Sequence, residues 1–164
     1  MRVAFFHGLE SRPISTKNII LTSEFDFVYS PKIDYKDTSL FDQILHEVKI
    51  NQIDLLIGSS MGGWLAYCIS TCTGIPTLLF NPAVHSRPWD PIVKLDCKKS
   101  EHTVVLGKHD CVIDPNTSID WFTKNGIGQF HYNFEFFEHR IPIDVFTKWI
   151  INSKNNFLSI NKIV

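Results

Sequence analysis

Short apolar runs of strand length alternate with helical patterns along the 164-residue chain, and this alternation predicts an α/β fold with a mainly parallel sheet flanked by helices. Two further features point the same way. Most of the runs are apolar without a break, as strands covered on both faces are. One helical stretch, 61–72 (MGGWLAYCISTC), is apolar nearly all round, which suits a helix buried between a sheet and its neighbours.

In chain order the expected strands are 2–6 (RVAFF), 25–29 (FDFVY), 53–57 (IDLLI), 76–80 (PTLLF), 103–106 (TVVL) and 132–137 (YNFEFF). Leu40, Phe41, Ile44, Leu45 and Val48 recur at helical spacing, and Ser39 with Asp42 resembles a capping box that opens this helix. Asp114 and Pro115 form an N-cap and first-position pair for a helix running through Ile119 and Phe122. Pro142 similarly opens the last helix, through Val145, Phe146, Trp149 and Ile150. Over 81–101, Pro82, Pro88 and Pro91 prevent any continuous element, so this stretch, with Trp89, is a candidate rim or cover. No repeat, low-complexity tract or Gly/Ser-rich linker divides the chain, and a single domain over 1–164 is expected.

The composition excludes several classes of function. With 16 Lys+Arg against 17 Asp+Glu, the net charge of -1 offers no basic footprint for nucleic acid or for an anionic membrane surface. A domain of this size buries about 68–70% of the surface of its unfolded chain, and 13 Phe, 4 Trp and 4 Tyr can fill the core without disulfides or metal. No apolar run approaches the roughly 20 residues of a membrane span. The start, MRVAFFHGLE, breaks after a short apolar run where a signal peptide needs about 7 apolar residues or more. A cytoplasmic location is the expectation. Cys68 and Cys72 lie one helical turn apart on an apolar stretch, and Cys97 and Cys111 complete no metal spacing, so all four are read as buried thiols.

The chemistry concentrates at Ile53 to Gly63, IDLLIGSSMGG, where Gly58-Ser59-Ser60-Met61-Gly62 falls between a strand and a buried helix. This is the G-x-S-x-G nucleophile elbow. A strand that turns sharply into a helix brings the flanks of the turn together, so the positions two before and two after the serine must be small. Ser60 meets that requirement. Ser59 does not, because Ile57 and Met61 would occupy its crowded positions. The turn also aims the hydroxyl at a helix N-terminus, where unpaired N–H groups favour negative charge. A glycine turn packed on a helix, or a phosphate-cradling loop, is the plainer alternative.

A serine needs a base and an acid, which follow it in the order Ser, Asp/Glu, His in this kind of architecture. Asp110 in VLGKHDCVID closely follows the strand at 103–106, at the sheet edge where α/β proteins place their sites. Asp114 is its rival, but capping the helix at Pro115 is a simpler role. Among the seven histidines, His46 falls in the amphipathic helix and His85 in the proline-rich stretch. His102 and His131 precede strands and so belong to the wrong edge. His139 comes just beyond the last strand and before Pro142, and can reach the same edge as Ser60 and Asp110. His109 neighbours the acid as a supporting group or a substrate contact. An oxyanion needs two donors: Met61 N–H, directly after the nucleophile, and Leu9 N–H, after the His7-Gly8 turn that ends the first strand. Arg12 is either a solvated loop residue or a guide for an acidic substrate group.

FFHGLESRP, GSSMGGW, LLFNPAV, GKHDCVID and the late EHR together resemble the α/β-hydrolase superfamily and, within it, the small bacterial YqiA-like esterases, over nearly the whole chain. The resemblance implies the α/β-hydrolase fold, an eight-stranded-type core trimmed to a minimum without a large cap domain, and carboxylesterase activity on short acyl esters. It supports Ser60 as nucleophile, Asp110 as acid and His139 as base. The chain departs from its relatives at Phe137-Glu138-His139-Arg140, where they tend to carry a glycine-rich Asp-His-Ser-like segment.

The reading is a serine esterase working through an acyl-enzyme on a small-molecule acyl ester or thioester, with no cofactor or metal. Thioesterase, C–C hydrolase or lyase chemistry with the same triad is one alternative, and a non-catalytic binding protein on the same scaffold is another.

Overall fold

The computed structural model describes residues 1–9, 15–86 and 97–160. Its elements run β1 (Arg2–Phe6), α1 (Thr16–Glu24), β2 (Phe27–Tyr29), α2 (Leu40–Ile50), β3 (Leu55–Ser59), α3 (Met61–Thr73), β4 (Thr77–Phe80), β5 (Glu101–Gly107), α4 (Pro115–Asn125), β6 (Gln129–Glu135) and α5 (Ile143–Ile160). Among the described residues the strands form one sheet in the order β2-β1-β3-β4-β5-β6, with every neighbouring pair parallel. That is two strands fewer than the eight-stranded type the resemblance implies.

The period of two along each strand divides the core into two layers. Ala4, Phe6, Leu56, Leu79, Val104 and Leu106 pack against α2, α3 and α4. Their strand neighbours Val3, Phe5, Leu55, Ile57, Leu78, Phe80 and Val105 pack on the opposite face with Leu21 of α1 and with Phe146 and Ile150 of α5. Helices on both faces explain why the central strands lack alternation. α3 lies over the sheet centre and buries every residue from Met61 to Thr71, as its unbroken apolar pattern predicts.

Several local expectations change. α1 was not anticipated: its sequence TKNIILTSE buries only Leu21 and leaves Ile19 exposed, so it carries no strong apolar stripe. The second strand shrinks from 25–29 to Phe27–Tyr29 because Phe25 caps α1, its N–H donating to the Leu21 carbonyl at 3.0 Å. Ser39 is no N-cap. Its N–H and hydroxyl both donate to Asp37 Oδ1, at 2.9 and 2.7 Å, and its backbone is already helical. Asp114 does cap α4, accepting from Asn116 N–H at 2.8 Å. β5 and β6 begin earlier than their apolar runs, so His102 and His131 lie within strands rather than before them. β6 is an edge strand with partial exposure along its length, and its polar first half masks it in the sequence. Of the cysteines only Cys68 is buried. Cys72 and Cys97 are half-buried and Cys111, in the turn after β5, is exposed; all four are free thiols.

His102 is wholly buried and hydrogen-bonded on both ring nitrogens. Nε2 donates to the Ile127 carbonyl at 2.9 Å, which makes Nδ1 the acceptor for the Thr77 hydroxyl at 3.0 Å. The ring stacks on Phe130 at 4.6 Å and meets Tyr67 edge-on at 5.4 Å. Burial holds the imidazole below its ordinary value of 6.5, only partly countered by the Ile127 bond. The unfolded chain therefore takes up a proton near pH 6.5 that the folded protein refuses. Stability from this residue is complete above that pH and declines below it, by at most about 1.4 kcal/mol per pH unit. Urea denaturation at pH 7.5 and 5.5 should show a smaller acid-side loss for His102→Gln, which keeps a donor and an acceptor without the titration, than for the unsubstituted protein.

Candidate active site

The sheet order places a topological switch at its centre. From β1 the chain leaves in one direction to β2 and then crosses to β3 on the other side, so the loops after β1 and β3 diverge and open a crevice at their C-terminal ends. Gly8 follows β1 and Ser60 follows β3, so both stand at this crevice.

Ser60 occupies the single residue between β3 and α3 with φ 55° and ψ -119°. A side chain at positive φ costs of order 1–3 kcal/mol, and the surroundings hold it there. Ser60 N–H donates to the Phe80 carbonyl at 2.9 Å, while its own carbonyl accepts from Gly63, Trp64 and Ala83 N–H at 2.9, 3.2 and 3.0 Å. The flanking glycines are a packing necessity. A Cβ on Gly58 would overlap the Gly62 carbonyl, and one on Gly62 would overlap the Phe6 carbonyl at the end of β1.

The three polar side chains singled out in the sequence meet at this point. His139 Nε2 lies 3.1 Å from Ser60 Oγ, and His139 Nδ1 lies 2.8 Å from Asp110 Oδ2. The Asp110 carboxylate is fully shielded from solvent, and its other oxygen accepts from Val112 and Ile113 N–H at 2.8 Å each. With three hydrogen bonds spread over both oxygens, the carboxylate is fixed in orientation. The His139 ring keeps 26% of its surface open, enough for a reactant to reach it. Asp114 is exposed and occupied in capping α4. His109 is also exposed, and its ring lies by Phe136 with centroids 6.1 Å apart.

The expected oxyanion donors flank the serine. Met61 is the first residue of α3, where helical N–H groups have no partner within the helix. On the other side, a Cβ on Gly8 would come within 3.3 Å of Ser60 Cβ, so the backbone just before Leu9 runs close against Ser60. Leu9 itself is 63% exposed. The turn is secured by Tyr35, whose hydroxyl donates to the His7 carbonyl at 2.5 Å and whose burial pushes its phenol far above the usual range. Arg12, Pro88, Trp89 and Pro91 lie outside the described residues.

Sequence reasoning assigned Asn81 and Tyr35 no role. Asn81, 1% exposed and at φ 42°, joins three segments. Its N–H donates to the Val105 carbonyl at 3.0 Å and its Oδ1 accepts from Gly107 N–H at 2.8 Å. Its Nδ2 donates to the Glu138 and His139 carbonyls at 3.3 Å each. One buried amide thus ties the end of β4 both to the loop that carries Asp110 and to the loop that carries His139. An asparagine directly after a strand and before Pro82 was the available signal, since Asn tolerates positive φ better than most residues.

This sheet, its flanking helices and the serine at a strand-to-helix turn define an α/β-hydrolase fold, and solved structures share it. A Xanthomonas campestris pv. campestris protein assigned to the α/β hydrolase superfamily is 19% identical over 92% of this chain and 97% of its own, with a TM-score of 0.67. A structure of the metagenome-derived lipolytic enzymes LipS and LipT gives 0.70 at 12% identity, over 94% of this chain and 93% of that one. Est1E from Butyrivibrio proteoclasticus gives 0.65 at 10% identity, covering 96% and 87%. The chain belongs to the Uncharacterised protein family (UPF0227), whose pattern matches residues 2–113, a span that includes Ser60 and Asp110. No curated protein matches it.

The packing at the turn has a measurable consequence. Gly62→Ala must push backbone against backbone and should lose about 1–3 kcal/mol or more, or fail to fold. Gly8→Ala, whose methyl would meet nothing closer than Ser60 Cβ at 3.3 Å, should lose less. Urea midpoints of the two variants test the order.

Proposed function

We propose that this protein is a serine hydrolase acting on short acyl esters through an acyl-enzyme. The observation that carries the reading is the hydrogen-bonded series Asp110, His139, Ser60 at 2.8 and 3.1 Å, ending on a serine held at positive φ. Because the Asp110 carboxylate can only accept, His139 carries its proton on Nδ1 and presents a bare Nε2 to the Ser60 hydroxyl. Ser60 Oγ attacks the carbonyl carbon as Nε2 takes its proton. The carbonyl oxygen becomes an oxyanion held by the Met61 and Leu9 N–H groups. The C–O bond to the leaving alcohol then breaks, and Nε2 returns the proton to that alcohol. Water repeats the sequence on the acyl-enzyme and frees the acid. Asp110 stabilises the imidazolium at both stages.

Thioesters would pass through the same steps. The hydrolase and lipolytic descriptions of the structural neighbours agree with this chemistry, and the family resemblance implies carboxylesterase activity.

A fluorophosphonate probe should label Ser60, and Ser60→Ala and His139→Ala should each abolish the labelling. Asp110→Asn should stay folded and lose about 10⁴ in turnover, the cost typical of misorienting the histidine. A folded, unlabelled protein would instead be a binding protein on this scaffold. In a p-nitrophenyl ester series, turnover should peak at short acyl chains, and a steep preference for long ones would contradict the substrate assignment.

A further inference from the structure

A cavity of about 200 Å³ opens beside the nucleophile, with Gly8 and Ser59 on the side next to Ser60. At roughly 30 Å³ per water it holds the equivalent of six or seven molecules, which suits a chain of a few carbons. Phe5 and Ile143 supply apolar walls, and Ser15 and Lys17 from the start of α1 line the far side. No described lining residue is acidic.

Lys17 is the unexplained group here. Lys148 and Lys154 pair with Glu135 and Glu24, but no carboxylate among the described residues pairs with Lys17. Its ammonium lies 5.3 Å from the centroid of the Phe146 ring, on the apolar side of α1. Burial pushes its pKa down to about 8, so it stays largely charged at neutral pH in a place that penalises the charge. The Ser15 hydroxyl makes no capping bond, and the first turn of α1 contains no acidic residue. Charge and space therefore converge on one side of the cavity, with no acidic residue among its described lining residues.

We propose that Lys17 and this cavity form an anion subsite, so that the favoured substrates are short acyl esters carrying a carboxylate a few atoms from the scissile carbonyl. The proposal rests on the serine-hydrolase reading and names its substrate class. The carboxylate pairs with the ammonium across the cavity while the ester carbonyl lies at Ser60. Lys17 is a specificity residue and moves no proton in the reaction.

The test compares the p-nitrophenyl monoester of glutarate with p-nitrophenyl pentanoate at pH 7. The unsubstituted protein should favour the acidic ester at least tenfold in kcat/KM. Lys17→Met should lower that ratio tenfold or more, and Lys17→Arg should keep most of it. Calorimetric titration with glutarate should show binding that weakens at least tenfold in Lys17→Met. Hydrolysis of both esters with a ratio insensitive to Lys17→Met overturns the subsite and leaves the hydrolase reading intact. Lys17-dependent glutarate binding in a protein that hydrolyses neither ester and is not labelled at Ser60 overturns the hydrolase reading and leaves the subsite intact.

Discussion

The start of α3 presses against the end of β1 so closely that no side chain fits between Gly62 and the Phe6 carbonyl, and the geometry of the site follows from that contact. A helix so close to the sheet cannot begin with a gradual turn. The chain must reverse within one residue, and Ser60 is that residue, at φ 55°. Its strain is balanced by four backbone hydrogen bonds, to Phe80, Gly63, Trp64 and Ala83, which together involve β4, α3 and the loop after β4. The hydroxyl is exposed to chemistry because the backbone beneath it has no alternative path.

Asp110 and His139 are held by the same strategy. Asp110 is fixed through two backbone N–H groups of its own loop, and the loop bearing His139 through the two carbonyls that Asn81 engages. In each case a buried polar group is satisfied by main chain, so the orientation does not depend on flexible side-chain packing. Buried groups satisfied in this way are costly to disturb, because displacement leaves a desolvated donor or acceptor unpaired. This favours a preorganised arrangement over one assembled when a ligand arrives.

Much of this was legible in the letters, because it depends on local rules. The elbow follows from glycine spacing around one serine, and Asp110 and His139 follow from counting which residues come after the C-terminal ends of strands. The central strands are legible for the same reason, since both their faces are covered. What escaped depends on tertiary context. α1 buries one residue, so it lacks a periodic stripe. β6 is half solvated, so its polar first residues conceal its start. Ser39 has the right identity for a cap, but its backbone is already helical and its hydroxyl is turned to Asp37, so it makes no side-chain capping bond. Asn81 makes its essential bonds to residues 57 and 58 positions away. Lys17 is unusual in its burial beside Phe146 without a carboxylate partner among the described residues, and that is a property of the folded surroundings rather than of the sequence.

The placement of His139 in the loop after β6 raises a structural problem that the rest of the fold answers. Among the described residues β6 is the sheet edge and pairs only with β5, so the loop following it would ordinarily be the least supported part of the site. Support comes from both sides. From within, Asn81 reaches the loop from the end of β4, two strands away. From below, Phe137 and Ile141 sink into the core layer with Phe146 and Ile150 of α5, on either side of His139. Glu135, the last residue of β6, accepts from the Lys148 ammonium at 2.6 Å and from the Trp149 indole N–H at 2.9 Å, which fastens the strand end to α5. Because those side chains bond one carboxylate, their effect is to set the direction in which the chain leaves the sheet. An edge strand braced in this manner can hold the His139 loop in place, and the six strands among the described residues bring the three side chains together.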